Sequence, residues 1–277
     1  MRIGEAVSAG FRGANEGWRV IAVSFGFGLV MSVSQRILLP NSTPAPSPSP
    51  AANPIALMAG GMGMLVLALG LGVLWTVWLG GALVWLKNRF DGAENSWAGL
   101  VEGGRRLFWA LCWVMSLQGI LGMGPLFVAG LLGALLARSL GIGVTALLVA
   151  IGVLAGLAVF ILLTFGACAL AERQQGAKTA LKDSALFVRA HLGGTLGLLT
   201  ALFLVSAAVV LAFAIPLILL ALALKLPISA QQQSPLLMEV PLQLVASYVF
   251  FFVLAAQYAY YRGNQPASPE PLAERSA

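Results

Sequence analysis

The sequence predicts an all-α, polytopic membrane protein with six transmembrane helices. They are expected to form three hairpins, each preceded by a short amphipathic helix on the cytoplasmic interface. Three observations carry this reading. Of 277 residues, 59% are hydrophobic and only 9% charged, where soluble domains carry about a quarter charged residues; a water-soluble globular enzyme is excluded. The charged residues lie between long charge-free stretches, at 20–35, 37–86, 107–137, 139–171, 190–224 and 240–261. The basic residues, finally, fall almost entirely on alternate loops.

About 20 apolar residues are needed to cross a hydrocarbon core about 30 Å thick. The first stretch is short, but Trp18 and Arg19 at its start and Arg36 at its end can snorkel to the interface. The second stretch is too long for one helix and is interrupted by the proline-rich run from Pro40 to Pro50, which cannot continue a helix. Span two therefore starts near Pro54 and runs to about Leu86. Span three, 107–137, contains Gln118, Gly119, Gly122, Gly124 and Pro125, so it is expected to be kinked or locally unwound. Such backbone is tolerated at membrane depth only when covered by protein or a watery cavity. Span four, 139–171, carries the small-residue pair Gly152 and Gly156, which lets a neighbouring backbone approach closely. Spans five and six follow at 190–224 and 240–261.

Placing the N-terminus in the cytoplasm leaves only Arg36, Arg138 and Lys225 on the far side, out of 16 Lys and Arg. This asymmetry follows the positive-inside rule and puts both termini in the cytoplasm. Ser32-Val33-Ser34 has the spacing of a signal cleavage site. The segment ahead of span one carries Glu5 and Glu16, however, and recurs later in the chain, so the span reads as a retained anchor. The net charge of +6 is accounted for by topology and by anionic lipid, so no nucleic-acid partner is implied.

Three segments ahead of spans one, three and five share a pattern. In the second, Trp97, Leu100, Val101, Gly104 and Phe108 fall on one helix face. The same offsets give Ile3, Ala6, Val7, Gly10 and Ala14 in the first, and Ala177, Ala180, Leu181, Ser184 and Val188 in the third. The fourth position is small in all three. Each segment is expected to lie along the interface with its apolar face toward lipid. Gly92 and Gly176 close the polar stretches after spans two and four, where a helix stop would place them. The chain divides into units of about 1–92, 93–176 and 177–262 within one membrane domain, 1–262; residues 263–277 read as a disordered cytoplasmic tail.

The loop Ala171-Glu172-Arg173-Gln174-Gln175-Gly176-Ala177-Lys178-Thr179-Ala180-Leu181-Lys182-Asp183-Ser184, with the earlier helix Ser96 to Phe108 and its Gly-Gly-Arg-Arg, resembles a signature of bacterial six-span proteins. That group is related to the membrane domain of glycerophosphodiester phosphodiesterases. The resemblance implies the six-span architecture and a bacterial inner-membrane location, and it implies no activity, since most members have none assigned.

Catalytic chemistry finds few residues. The single histidine, His191, heads span five beside Arg189 and reads as an interfacial anchor. Cys112 and Cys168 fall in apolar spans and read as buried thiols. No nucleophile triad, phosphate-cradling loop or metal-ligand spacing occurs, so no enzyme, cofactor or metal site is expected. Every Asp and Glu lies outside the predicted span cores, which argues against a carboxylate proton relay. The neutral polar residues inside are Gln118, Thr164, Ser206, Gln243 and Ser247. Trp18, Trp85, Tyr258, Tyr260 and Tyr261 sit at span ends as an expected interfacial belt; Trp75 and Trp78 lie deeper, as packing residues.

The sequence thus predicts a non-enzymatic inner-membrane protein that organises or assists lipids or other membrane components. Arg105, Arg106, Lys178, Lys182 and Arg189 are the candidate contacts to anionic headgroups, and a membrane-protein partner or a second copy is a further expected contact. The alternative is a transporter or permease subunit for a neutral or lipid-like substrate, using a cavity at Gln118, Gly122, Gly124 and Pro125. The orientation is tested by single cysteines. Ser47→Cys should react with a membrane-impermeant maleimide added outside intact cells and Gln174→Cys should not; labelling of the second alone reverses the topology.

Overall fold

Backbone that crosses lipid must satisfy its own hydrogen bonds, and long apolar runs without strand alternation do so as helices. The computed structural model describes residues 1–38, 54–223 and 236–265, and among these every regular element is an α-helix. In chain order they are α1 (Ile3–Glu16), α2 (Trp18–Leu38), α3 (Pro54–Asp91), α4 (Trp97–Leu140), α5 (Ile142–Leu163), α6 (Gly166–Arg173), α7 (Ala177–Ala190), α8 (Leu192–Ala223) and α9 (Leu236–Gly263). Five helices are long and apolar enough to cross a membrane, α5 and α6 counting as one; α1 and α2, bent by 76° at their junction, make a sixth if taken together. The proline-rich run and residues 266–277 of the expected tail lie outside the described residues.

Local chemistry sets the boundaries. The Arg2 backbone N–H donates to the Glu5 carboxylate at 2.9 Å, and α1 stops at Gly17. Ser96 accepts the Gly99 N–H at 3.0 Å and caps α4. Gly92, with φ of +72°, ends α3 in the left-handed region, where a Cβ is disfavoured. The other expected stop falls elsewhere. Gln174 takes the left-handed turn after α6 (φ 52°), while Gly176 is extended and leads into α7.

Several sequence expectations are corrected. The second amphipathic segment is not a separate helix: α4 runs from Trp97 through span three without a break. Nothing between Arg105 and Leu111 interrupts helix, whereas Gly17 and the His191 junction end α1 and α7. Of the two forms expected for span three, kinked or locally unwound, the second does not occur: α4 stays helical through Pro125, where proline removes one backbone donor without ending the ladder. Span four does break, at Thr164-Phe165 between α5 and α6. Tyr258, Tyr260 and Tyr261 are not a surface belt but buried, because their side of α9 is covered by α6 and α7. Tyr261 stacks on Phe165 at 5.8 Å, and its ring lies 4.8 Å from Phe187. Trp18 is exposed, while Trp78 is buried and donates its indole N–H to the Val20 carbonyl at 3.0 Å.

The apolar faces of the three segments meet neighbouring helices. Ala6, Ala14, Ala180, Leu181 and Val188 are buried, while Trp97 and Val101 of the second segment are exposed. The small fourth positions explain the fit. A Cβ on Gly10 would lie 2.8 Å from that of Ala256 on α9; one on Gly104 would overlap the Val77 carbonyl of α3. Ser184 accepts the Phe165 N–H at 3.1 Å and donates to the Leu162 carbonyl at 2.9 Å, bridging the break between α5 and α6. Segments two and three therefore pack on the end of the span before them. Segment one, which has no span before it, packs on the last one, α9. Most of the core lies at this end of the bundle, which also holds most of the described basic residues.

Overpacking a tight contact costs about 1–3 kcal/mol. Gly104→Leu and Ser184→Leu should each lower thermal stability in detergent by that amount. Charge reversal at Glu102 or Lys182, both exposed, should be nearly silent. Silent leucines with damaging charge reversals would refute the seating described here.

Candidate functional site

A candidate site grows from how α4 and α5 touch. Gly156 of α5 rides on the Gly122 carbonyl of α4, and Gly152 on that of Pro125, so two glycines four residues apart bring the backbones together. The GxxxG pair of span four is thus used within the chain. On its other side α4 packs on α3 around Gly80, Gly81 and Gly104. Between α3, α4 and α5 lies a cavity of about 650 Å³, within the usual range for small-molecule sites.

Glycine keeps this space open. A Cβ on Gly119 or Gly122 would meet nothing within 4 Å, so both leave volume where a leucine would fill it. The remaining wall is apolar and soft, with Met115, Met123, Leu157 and Phe160. Beyond the Trp75 indole, Gln118 is the only polar side chain among the lining residues. It is half-buried and makes no side-chain hydrogen bond among the described residues. An amide has two donors and an acceptor oxygen to offer, so Gln118 is a free pairing group in an apolar space. One side of the cavity is closed by Trp75, packed at 4.6 Å on Trp78 and at 5.2 Å, edge-on, against Phe250 of α9.

Of the four residues expected at this cavity, Gln118 and Gly122 line it; Gly124 and Pro125 do not. Gly124 faces open space, and Pro125 contributes its carbonyl to the α4–α5 contact. Sequence reasoning missed Phe250 and Phe160, since aromatic residues in an apolar span carry no mark of the face they occupy. Trp75, a packing residue by its depth in the span, is also a wall.

The expected headgroup contacts divide. Arg105, Lys178, Lys182 and Arg189 are exposed and form no ion pair among the described residues. Arg106 instead donates to the Gln174 side chain, tying α4 to the turn after α6. The same end is laced by Lys87–Asp91 at 3.0 Å, Arg262–Asp91 at 2.6 Å, Arg173–Asp183 at 2.9 Å and Arg89–Glu16. Tyr258 donates to the Glu172 carboxylate. Thus these four cations stay available, while Arg89, Arg106, Arg173 and Arg262 tie one element to another. Among the described residues no three potential metal ligands lie together.

Residues 1–263 match a family described as a domain of unknown function, DUF7847. No curated protein and no solved structure matches the chain.

The glycines around the cavity make opposite forecasts. Gly119→Ala enters open space and should leave the melting temperature in detergent unchanged or raise it, alanine being the better helix former by about 1 kcal/mol. Gly156→Ala meets the Gly122 carbonyl and should lower it, at a cost of about 1–3 kcal/mol. The reverse order would show that α4 and α5 do not pack in this register.

Proposed function

This chain belongs to the DUF7847 family, a domain of unknown function, and we propose that it is a non-enzymatic bacterial inner-membrane protein that binds and organises lipid. In this reading the six spans form three hairpins with both termini cytoplasmic. Its segments lie at the cytoplasmic interface, and Arg105, Lys178, Lys182 and Arg189 meet anionic headgroups there. Each such charge close to an anionic surface is worth about 1 kcal/mol.

The observation that supports lipid as the ligand is the cavity at Gln118. Apolar cavities stay dry and take apolar occupants, while protein interiors leave few voids larger than a water. A space of about 650 Å³ walled by methionine, leucine and phenylalanine in a membrane has acyl chain as its ready occupant. Gln118 adds one hydrogen-bonding group, which discriminates a chain bearing a carbonyl or hydroxyl from plain hydrocarbon. A carrier for a neutral or lipid-like substrate is the second reading, and the free Gln118 amide favours it equally. The two differ in whether the bound molecule crosses the bilayer.

The protein purified in mild detergent should carry lipid identifiable by mass spectrometry. Gly122→Phe should deplete it with the fold intact, because a side chain at 122 points into open space. An unchanged lipid complement in this variant would overturn the reading. Uptake of the same lipid into protein-bearing vesicles, lost in Gln118→Leu, would move the assignment to the carrier.

A further inference from the structure

A second cavity, of about 440 Å³, lies between α2, α3 and α9. Trp75 and Phe250 line both spaces, so the edge-on pair of rings is the partition between them. The second wall includes Phe27, Gly72, Gln243 and Ser247. No Asp, Glu, Lys or Arg lines either cavity, so neither offers a counter-charge to an ionised headgroup, which would be costly at membrane depth. Each cavity has one amide, Gln118 in the first and Gln243 in the second, and neither side chain has a hydrogen-bond partner among the described residues. The Ser247 hydroxyl, by contrast, is satisfied by the Gln243 carbonyl at 2.8 Å, the usual bond back along a helix. The Gln243 side chain lies over Gly28, where any Cβ would collide with it; glycine there leaves the amide its place at the cavity.

We propose that the bound lipid has two chains, one on each side of the Trp75–Phe250 partition, with the linkage carbonyl of each chain accepting from Gln118 or Gln243. This rests on the lipid-binding reading above. Two apolar lobes with one free amide apiece match an amphiphile whose two chains each begin at an ester or amide carbonyl. A single-chain amphiphile fills one lobe and leaves the other empty, and atoms lining a void forfeit their dispersion contacts. Its headgroup stays outside both lobes.

The test loads the purified full chain, in mild detergent, with dipalmitoyl phosphatidylglycerol or with palmitic acid and counts what is retained by mass spectrometry. Two variants separate the lobes. Gly72→Phe fills the second and Gly122→Phe the first; in both, the new side chain starts in open space, and helicity and elution volume verify the fold. The wild type should retain the two-chained lipid. Gly72→Phe should retain it about tenfold less, a clear step on the affinity scale, while holding palmitic acid as before. Gly122→Phe should lose both. Equal retention of the two-chained lipid by Gly72→Phe and the wild type overturns this inference. Retention of palmitic acid alone by the wild type, abolished by Gly122→Phe, overturns it too but leaves the lipid-binding reading standing. Retention of neither by the wild type removes both.

Discussion

One contact, made three times, organises this molecule: a helical segment seated on the end of a span through a residue with almost no side chain. Gly10 on α9, Gly104 on α3 and Ser184 at the α5–α6 break bring backbone within reach of backbone. In lipid no hydrophobic force drives helices together, since acyl chains are as apolar as leucine. Association must come from close packing and hydrogen bonds, and only small residues permit the approach that makes them effective. Ser184 does both. It is small enough to be fully buried, and its hydroxyl answers one N–H and one C=O at the place where α5 and α6 part.

The seating has a geometric consequence for the rest of the bundle. Each segment adds a second layer at one end, where aromatic residues of the α5–α6 junction, α7 and α9 fill the interior and ion pairs lace the rim. Among the described residues no such layer lies toward the other end. There α4 and α8 carry long rows of exposed Leu, Ile, Val and Phe, as helices facing acyl chains do. Between the described helices lie the two cavities.

Much of this was legible in the sequence, for identifiable reasons. Charge placement marked the span ends, because a buried charge is too costly to sit elsewhere. The small fourth position was visible because a repeat shows the same constraint three times. Gln118 and Gly122 were legible as an amide followed by clustered glycines, an unusual association inside a span. What stayed hidden depends on partners distant in sequence. Periodicity places Tyr258, Tyr260 and Tyr261 at a span end, where an interfacial belt is the ordinary reading; only the docking of α6 and α7 makes them core. The unbroken run of α4 was hidden differently. Its amphipathic segment matches the other two, but nothing in Arg105 to Leu111 stops a helix, and the absence of a stop carries little weight against a repeat. The family match extends over nearly the whole chain without bearing on the phosphodiesterase-related resemblance, which rests on one loop and one short helix.

The glycines of this chain finally separate into two kinds that composition alone cannot tell apart. Gly104 and Gly156 are small because another backbone occupies the space a side chain would need, and Gly152 because the Ala129 methyl and the Pro125 carbonyl do. Gly72, Gly119 and Gly122 have no such neighbour: a Cβ on any of them would stand in open space beside a cavity. Helix propensity disfavours glycine by about 1 kcal/mol relative to alanine, and a larger apolar residue would gain contacts as well. Glycine at these three positions therefore forgoes packing that the fold alone would accept. The volume it leaves lies beside the two unpartnered amides, Gln118 and Gln243. Close-packed helices need the first kind of glycine, whereas a bundle that only had to be stable would replace the second. Their position on the walls, together with the free amides, is the ground on which an occupant is proposed for the space.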